Sequence, residues 1–171
     1  MCAYLKHGFS FITARDAARA TLAFETCLKY YPDNPGAHNG LGILLRDKGD
    51  FPASLTHHDR AVELAPKIPS HPWERTVTLL RMGEAEKAIK DCQLALEQDP
   101  AFANAHNTLG IIYRNQRNYA EALKLHDQAI ESDSRREDFW RERGVTHQAK
   151  GDQAKAAADD ARARELQPAR R

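Results

Sequence analysis

The sequence predicts an all-α fold built from five tandem hairpins of two helices each. The 171-residue chain repeats every 34 residues without a gap. Within each copy, apolar residues recur at the three- and four-residue spacing of an amphipathic helix. Residues that begin or end helices stand between the apolar segments. A fixed period of this length indicates a repeat architecture, in which each unit packs only on its neighbours.

The copy at residues 103–136 shows the pattern most fully, with small residues at the predicted helix crossing, Gly110 and Ala122. Small side chains there let two helices approach closely. The first of these positions holds Gly8, Gly42, Thr76, Gly110 and Gly144 in chain order. The second holds Ala20, Ser54, Ala88, Ala122 and Ala156. We therefore expect the same crossing in all five copies.

The repeat register fixes the expected helix boundaries. The copies are residues 1–34, 35–68, 69–102, 103–136 and 137–171, and we expect them to form a single array. First helices are expected near 2–14, 36–48, 71–82, 104–116 and 138–150. Second helices are expected near 17–30, 51–64, 85–98, 119–132 and 153–166. Turn glycines end several first helices, and prolines end most second helices, at Gly49, Gly83, Gly151, Pro32, Pro66, Pro100 and Pro168.

Five copies in unbroken register resemble the tetratricopeptide repeat (TPR) family, and the resemblance covers essentially the whole chain. It implies a right-handed superhelical α-solenoid of about ten helices. It also implies a protein-interaction module whose first helices line a concave groove that holds a peptide or a partner's helix. Because a fold alone does not establish a function, the ligand of such a groove depends on the residues that line it.

Composition limits the classes of partner and the compartment. The 25 basic and 24 acidic residues nearly cancel, so neither nucleic acid nor a membrane surface is an expected partner. No stretch has the length or apolarity of a signal peptide or a transmembrane helix. The three cysteines are an odd number spread over different repeats. These features predict a cytoplasmic protein.

An alternation with a 68-residue period overlies the repeat. Arg75 and Arg143 stand where the second and fourth copies have leucine, and they would point into the helix pair. A lone buried guanidinium is costly, and each arginine is followed sixteen residues later by an aspartate. We predict the pairs Arg75–Asp91 and Arg143–Asp159. Second partners are expected from the preceding copies, at Asp59 and Asp127.

The histidines allow two interpretations. His38 and His58 fall at facing levels of one helix pair, and His106 and His126 repeat the arrangement 68 residues later. With Cys27 nearby they suggest zinc, but four ligands at a recognisable spacing are missing. Alternatively, they replace aromatic residues in the packed seam, and we prefer this interpretation. No metal and no cofactor are expected.

No constellation of catalytic residues stands out. The residues of the triplet 57–59, His-His-Asp, point about 100° apart on a helix and cannot converge on one substrate atom. Phosphate loops, nucleophile elbows and zinc signatures are missing. We therefore expect no enzyme. A self-assembling scaffold, in which repeats stack between molecules, is the main alternative to a binding module, and an enzyme or a metal-binding protein is a more remote one.

The predicted groove has an apolar column flanked by polar groups. The column holds Phe9, Ile43, Val77, Ile111 and Val145. Asparagine can pair with a peptide backbone, and arginine can hold carboxylates. These features favour an extended ligand with alternating apolar and acidic residues. The expected binding residues are Asn39, Ile43, Arg46, Trp73, Val77, Leu80, Arg81, Asn107, Ile111, Arg114, Asn115 and Arg141.

Trp73 follows two prolines, so it could face either the groove or the packed seam that Trp140 occupies. Chaperone-binding members of the family grip two carboxylates with lysine, asparagine and arginine at set places. Here those places hold Leu5, Phe9, Gly40, Ser70 and Glu74, or Trp73, Val77, Thr108, Asp138 and Glu142. A chaperone C-terminus is therefore not the expected ligand.

Overall fold

A computed structural model describes residues 3–167, which form ten α-helices and no strand. The first helices of the five repeats are α1 (Ala3–Thr13), α3 (Pro35–Lys48), α5 (Ser70–Arg81), α7 (Ala103–Asn115) and α9 (Glu137–Lys150). The second helices are α2 (Ala17–Tyr30), α4 (Phe51–Leu64), α6 (Ala85–Gln98), α8 (Tyr119–Ser132) and α10 (Gln153–Leu166). The all-α fold of paired helices predicted from the repeat is confirmed. Cys2 and Pro168 lie outside the described residues.

Local sequence explains where the helices begin and end. Asp50 accepts a hydrogen bond from the backbone N–H of Ala53 at 3.2 Å, and Pro52 follows in the first turn. Gly49 ends α3 in the left-handed conformation, with φ of 86°. Arg15 and Arg117 adopt the same conformation between the helices of repeats one and four. The turn is therefore kept even where glycine is absent.

The chain divides into two compact units, residues 1–91 and residues 92–171. In the first unit, α1, α3 and α5 lie side by side, and the second helices α2 and α4 pack against the first helices that follow them. In the second unit, α7 lies beside α9, and α8 packs against α9. Each unit therefore shows the neighbour-to-neighbour packing of a helical repeat.

The core of the first unit centres on the fully buried ring of Phe24. This ring lies against the backbone of Gly8 in its own repeat and of Gly40 in the next. A Cβ atom at either glycine would collide with the ring. Leu41 and Cys27 complete the same apolar cluster. The glycines are therefore required because the helix backbones sit directly on an aromatic ring.

The predicted arginine–aspartate pairs are confirmed in both units. Arg75 Nε and Nη2 donate to the two carboxylate oxygens of Asp91, both at 2.7 Å. Its Nη1 donates to Asp59 on α4 at 2.7 Å. These two carboxylates raise the pKa of Arg75, chiefly through the hydrogen bonds that Asp91 accepts from the guanidinium. Each arginine therefore ties together helices of two successive repeats.

The second unit repeats this network at Arg143. The guanidinium donates to both oxygens of Asp159, at 2.9 and 2.6 Å, and to Asp127 at 2.6 Å. Asp159 is buried, as Asp91 is. The two networks are thus equivalent, and in each the buried carboxylate is compensated by a guanidinium.

Replacing Arg75 tests the energetic role of this network. Arg75→Leu leaves Asp91 buried without its cation, and we expect a loss of about 3 kcal/mol in the free energy of unfolding. Arg75→Leu/Asp91→Leu copies repeat four, which has Leu109 and Leu125 at these places. The double variant should recover most of the loss in urea unfolding followed by circular dichroism. A double variant no more stable than the single one would contradict this account.

Candidate partner-binding face

The first helices of each unit carry apolar side chains at equivalent positions of the repeat. Ile43 and Val77 are half-buried on α3 and α5, and Ile111 is half-buried on α7. Val145 on α9 is 40% exposed, and Phe9 on α1 is 37% exposed. Because α1, α3 and α5 are adjacent, as are α7 and α9, each unit has its own short apolar column.

An arginine–glutamate pair lies beside each apolar column. Arg46 Nη1 donates to Glu74 Oε2 at 2.7 Å and approaches the main-chain oxygen of the same residue at 3.3 Å. Arg114 contacts Glu142 in the same way, at 2.6 and 3.4 Å. The two arginines predicted to grip a ligand therefore already hold a carboxylate of the chain. Each pair joins two adjacent first helices.

The interpretation of Asn39 and Asn107 as free groups for a peptide backbone was wrong. They are 7% and 8% exposed. Asn39 Oδ1 accepts a hydrogen bond from His58 Nδ1 at 3.2 Å, and Asn107 Oδ1 accepts one from His126 Nδ1 at 2.9 Å. The asparagine side chains therefore turn towards the second helix of their own repeat, where a buried imidazole needs an acceptor.

The two imidazoles are fully buried and face the backbone of a glycine. A Cβ atom at Gly42 or Gly110 would lie 2.6 Å from the ring of His58 or His126. Burial, followed by the charges of Arg46 and Arg75, lowers the pKa of His58 to about 3. Burial is also the main cause that lowers the pKa of His126 to about 3. Both rings are therefore neutral at physiological pH.

His38 and His57 form a second pair of imidazoles. His38 Nε2 donates to the carbonyl of Pro32 at 2.9 Å, so its Nδ1 accepts from His57 Nδ1 at 3.0 Å. The ring centroids are 5.2 Å apart, so the two nitrogens meet nearly head-on. A chelated metal would need their lone pairs to converge at an angle. This geometry fits a hydrogen bond and gives His38 a different partner from His58.

The residues of the 57–59 triplet do not converge. His57 contacts His38, His58 contacts Asn39, and Asp59 contacts Arg75. Between residues 3 and 167 no group of three histidine, cysteine, aspartate or glutamate side chains is placed to hold a metal ion. None of the helices in that range is long and apolar enough to cross a membrane.

The remaining predicted binding residues differ in exposure. Trp73 and Arg141 occupy equivalent positions of repeats three and five, because the pairs Arg75–Asp91 and Arg143–Asp159 give both repeats the same register. Trp73 is therefore on the first-helix face and not in the seam position of Trp140. Trp73 and Leu80 are half-buried, and Arg81, Asn115 and Arg141 are exposed. Arg141 pairs with Glu137 at 2.8 Å.

Sequence reasoning missed the acidic partners of Arg46 and Arg114. A signal was present, because Glu74 and Glu142 both follow their arginine by 28 residues. This spacing alone does not indicate a contact, since side chains of adjacent repeats can also point apart. The structure adds Glu74 and Glu142 to the candidate face.

Comparison with known proteins gives a consistent family. Family models described as tetratricopeptide repeat match residues 5–69 and residues 92–124, together more than half of the chain. A TPR repeat-containing thioredoxin of Arabidopsis thaliana is 35% identical over 72 residues, which are 42% of this chain and 11% of that protein. Hsp70-Hsp90 organizing protein 2 of the same plant is 24% identical over 125 residues, 69% of this chain and 21% of that protein. The chain thus spans about a tenth to a fifth of these relatives.

A solved structure supports the same fold. The crystal structure of a thermophilic TPR protein from Thermus thermophilus superimposes with a TM-score of 0.86. The two chains are 21% identical, and the alignment covers 97% of this chain and 91% of that chain. At this level of identity the similarity establishes the fold alone.

The buried imidazoles make stability depend on pH. The pKa of His58 and of His126 is about 3 when folded, below the ordinary value of 6.5, so the unfolded chain binds more protons between these values. The free energy of unfolding is therefore highest above pH 6.5 and falls as the pH drops below that value. We expect each histidine to lower the free energy of unfolding by about 2 kcal/mol at pH 5.

The measurement is urea unfolding at pH 7 and pH 5 for the wild type and two variants. His58→Asn keeps a donor for Asn39 but does not titrate, so the loss of stability between these pH values should shrink by about 2 kcal/mol. His7→Asn, at an exposed histidine, serves as the control. Equal pH dependence in wild type and His58→Asn would refute the prediction, whatever the variant's stability at pH 7.

Proposed function

Because the chain belongs to the tetratricopeptide repeat family of protein-interaction modules, we propose that the first-helix faces bind an extended partner segment with apolar and acidic residues. One observation carries this proposal. In both units an apolar column lies beside an arginine that holds a carboxylate, Arg46 with Glu74 and Arg114 with Glu142. The same chemistry at equivalent places of both units supports a ligand that is itself apolar and acidic.

The apolar part of the ligand would contact the column. Ile43 and Arg46 are three residues apart on α3, and Glu74 and Val77 are three apart on α5, so each pair shares a helix face. Apolar surface buried there contributes about 25 cal/mol per Å² before the cost of ordering the ligand. In the second unit Ile111 and Val145 have the same places.

The acidic part would exchange with an internal carboxylate. A ligand carboxylate that pairs with Arg46 releases Glu74 to solvent. Because one ion pair replaces another, the net gain in binding free energy is small. The side chains of Arg46 and Glu74 are 11% and 16% exposed, so the exchange requires Glu74 to move outwards as the ligand carboxylate enters. We therefore expect binding in the micromolar range, near −8 kcal/mol.

Asn39 and Asn107 support this face indirectly. They fix the imidazoles that pack beneath α3 and α7, and they do not contact the ligand.

Similarity to an Hsp70-Hsp90 organizing protein raises the question of a chaperone ligand. The places of the family's carboxylate clamp hold residues such as Leu5 and Glu74, so the proposed ligand differs from a chaperone C-terminus. We propose that this function is cytoplasmic, because the three cysteines are an odd number spread over different repeats.

The exchange can be tested with a fluorescein-labelled peptide of alternating leucine and aspartate residues. Arg46→Ala/Arg114→Ala should weaken binding about tenfold and reduce its salt dependence. Glu74→Gln/Glu142→Gln removes the internal competitor, so binding should tighten about threefold. Fluorescence anisotropy at two salt concentrations measures both effects.

A matched control is Arg60→Ala on α4, because Arg60 pairs with the exposed Asp33 away from this face. This variant should bind the peptide as the wild type does. Unchanged affinity in the double arginine variant, with circular dichroism showing intact helices, would rule out the proposed face. Weaker binding by the glutamine variant would rule out the exchange while leaving the face in place.

A further inference from the structure

A cleft of about 370 Å³ lies between the turn of the first repeat and the end of α3. Leu44 on α3 forms its floor and is 5% exposed, as part of the apolar cluster around Phe24. Ile12 on α1 packs against the same cluster. The residues that line the cleft are Ile12, Arg15, Ala17, Leu44, Asp47 and Lys48. Both sides of the cleft are therefore built by consecutive repeats of the first unit.

The cleft continues the first-helix face. Ile12 follows Phe9 by three residues on α1, so the two side chains share a helix face. Asp47 follows Ile43 by four residues on α3 in the same way. Asp47 Oδ1 also lies 3.7 Å from Nε of Arg46, the arginine of the proposed face. An extended ligand on the apolar column can therefore place one of its side chains in the cleft.

Repeats two and four carry an aromatic ring where this cleft has only a methyl group. Ala17 begins α2, and the equivalent residues that begin α4 and α8 are Phe51 and Tyr119. Both aromatic residues are half-buried, whereas Ala17 is exposed. Leu44 stands where the third repeat has the smaller Thr78, but this exchange restores only part of the missing volume, since the cleft remains. The first repeat therefore lacks a ring at a position where repeats two and four have one.

The first repeat also lacks the ion pair that later repeats have beside the column. Ile12 stands at the place of Arg46 and Arg114, and Gly40 stands at the place of Glu74. The pair Arg46–Glu74 therefore has no counterpart between repeats one and two. A ligand side chain that enters this cleft displaces no carboxylate of the chain, unlike a ligand carboxylate that exchanges at Arg46.

Two basic side chains line the cleft beside its apolar floor. Within residues 3–167, neither Arg15 nor Lys48 has an acidic side chain within ion-pair distance. Asp47 is the one acidic residue among the described lining, and it already lies beside Arg46. The lining therefore carries more positive than negative charge. A ligand carboxylate next to a buried apolar side chain would meet cations that no internal group neutralises.

We infer that this cleft binds an aromatic side chain of the partner segment, with an acidic residue next to it in sequence held by Arg15 and Lys48. The inference rests on the proposed function, because the aromatic residue belongs to the segment bound on the first-helix face. A cavity of about 150 Å³ is enough to bind benzene, so a cleft of about 370 Å³ accommodates a phenyl ring. Aromatic side chains also bury a large apolar area each.

Two fluorescein-labelled peptides test the aromatic preference. The parent peptide alternates leucine and aspartate, and the second peptide has phenylalanine in place of one central leucine. We expect the wild type to bind the phenylalanine peptide about fivefold more tightly in fluorescence anisotropy, because the larger ring buries more apolar surface. Ala17→Phe copies Phe51 and fills the cleft, so the two peptides should then bind equally.

Ala18→Phe is the matched control for Ala17→Phe. It adds the same ring at the next residue, which is also exposed and does not line the cleft. The fivefold preference should therefore remain in this variant. Circular dichroism checks that both variants keep their helices.

Arg15→Gly tests the basic side chains. Arg15 has a φ of 58°, which glycine adopts without strain, and the second repeat has Gly49 at this place. The variant should bind the phenylalanine peptide about threefold more weakly and with less salt dependence. Arg117→Gly is its matched control, because Arg117 has a φ of 62° at the equivalent place of repeat four. It should bind the peptide as the wild type does.

The outcomes separate this cleft from the proposed face. Equal binding of both peptides by the wild type, or a preference that Ala17→Phe retains, would overturn the inference. Should Arg46→Ala/Arg114→Ala still weaken both peptides in that case, the face stands without the cleft. A preference that only Ala17→Phe removes, with affinities that the double arginine variant leaves unchanged, would support the cleft and reject the face. If the wild type binds neither peptide, both proposals are wrong.

Discussion

Two adjacent residues of opposite charge, Glu74 and Arg75, hold α5 to the helices around it. Consecutive residues on a helix point about 100° apart, so the pair reaches two directions at once. Glu74 contacts Arg46 on α3, while Arg75 contacts Asp59 on α4 and Asp91 on α6. Glu142 and Arg143 do the same for α9 in the second unit. These charges fix the register between repeats, because a one-residue shift would leave buried carboxylates unpaired.

The aromatic packing follows from this constraint. In the first repeat the ring of Phe24 needs Gly40, because a Cβ atom there would collide with the far end of the ring. Glu74 stands at the place equivalent to Gly40, and the ring beneath it is the shorter imidazole of His58. An imidazole brings a buried donor, and Asn39 supplies its acceptor. The glutamate, the histidine and the asparagine therefore form one dependent set, which the second unit repeats.

This set decides which groups remain for a partner. Asn39 pairs inside its own repeat, and Arg46 pairs with Glu74 of the next repeat, so the first-helix face presents apolar side chains and an arginine–glutamate pair. The buried imidazole beneath it is neutral, since burial lowers the pKa of His58 to about 3.

The sequence by itself determined the helices, the 34-residue register and the pairing of Arg75 with Asp91. All three follow from periodicity and from the cost of an isolated buried charge, which a sequence displays directly. The tertiary structure decided where Asn39 points and what Arg46 holds. Asn39 and Ile43 are four residues apart and share nearly one helix face, so periodicity cannot separate a buried amide from a half-buried isoleucine. Only the positions of the neighbouring helices bring His58 within hydrogen-bond distance of Asn39 and Glu74 within that distance of Arg46. The first contact turns Asn39 inward, and the second neutralises the charge of Arg46.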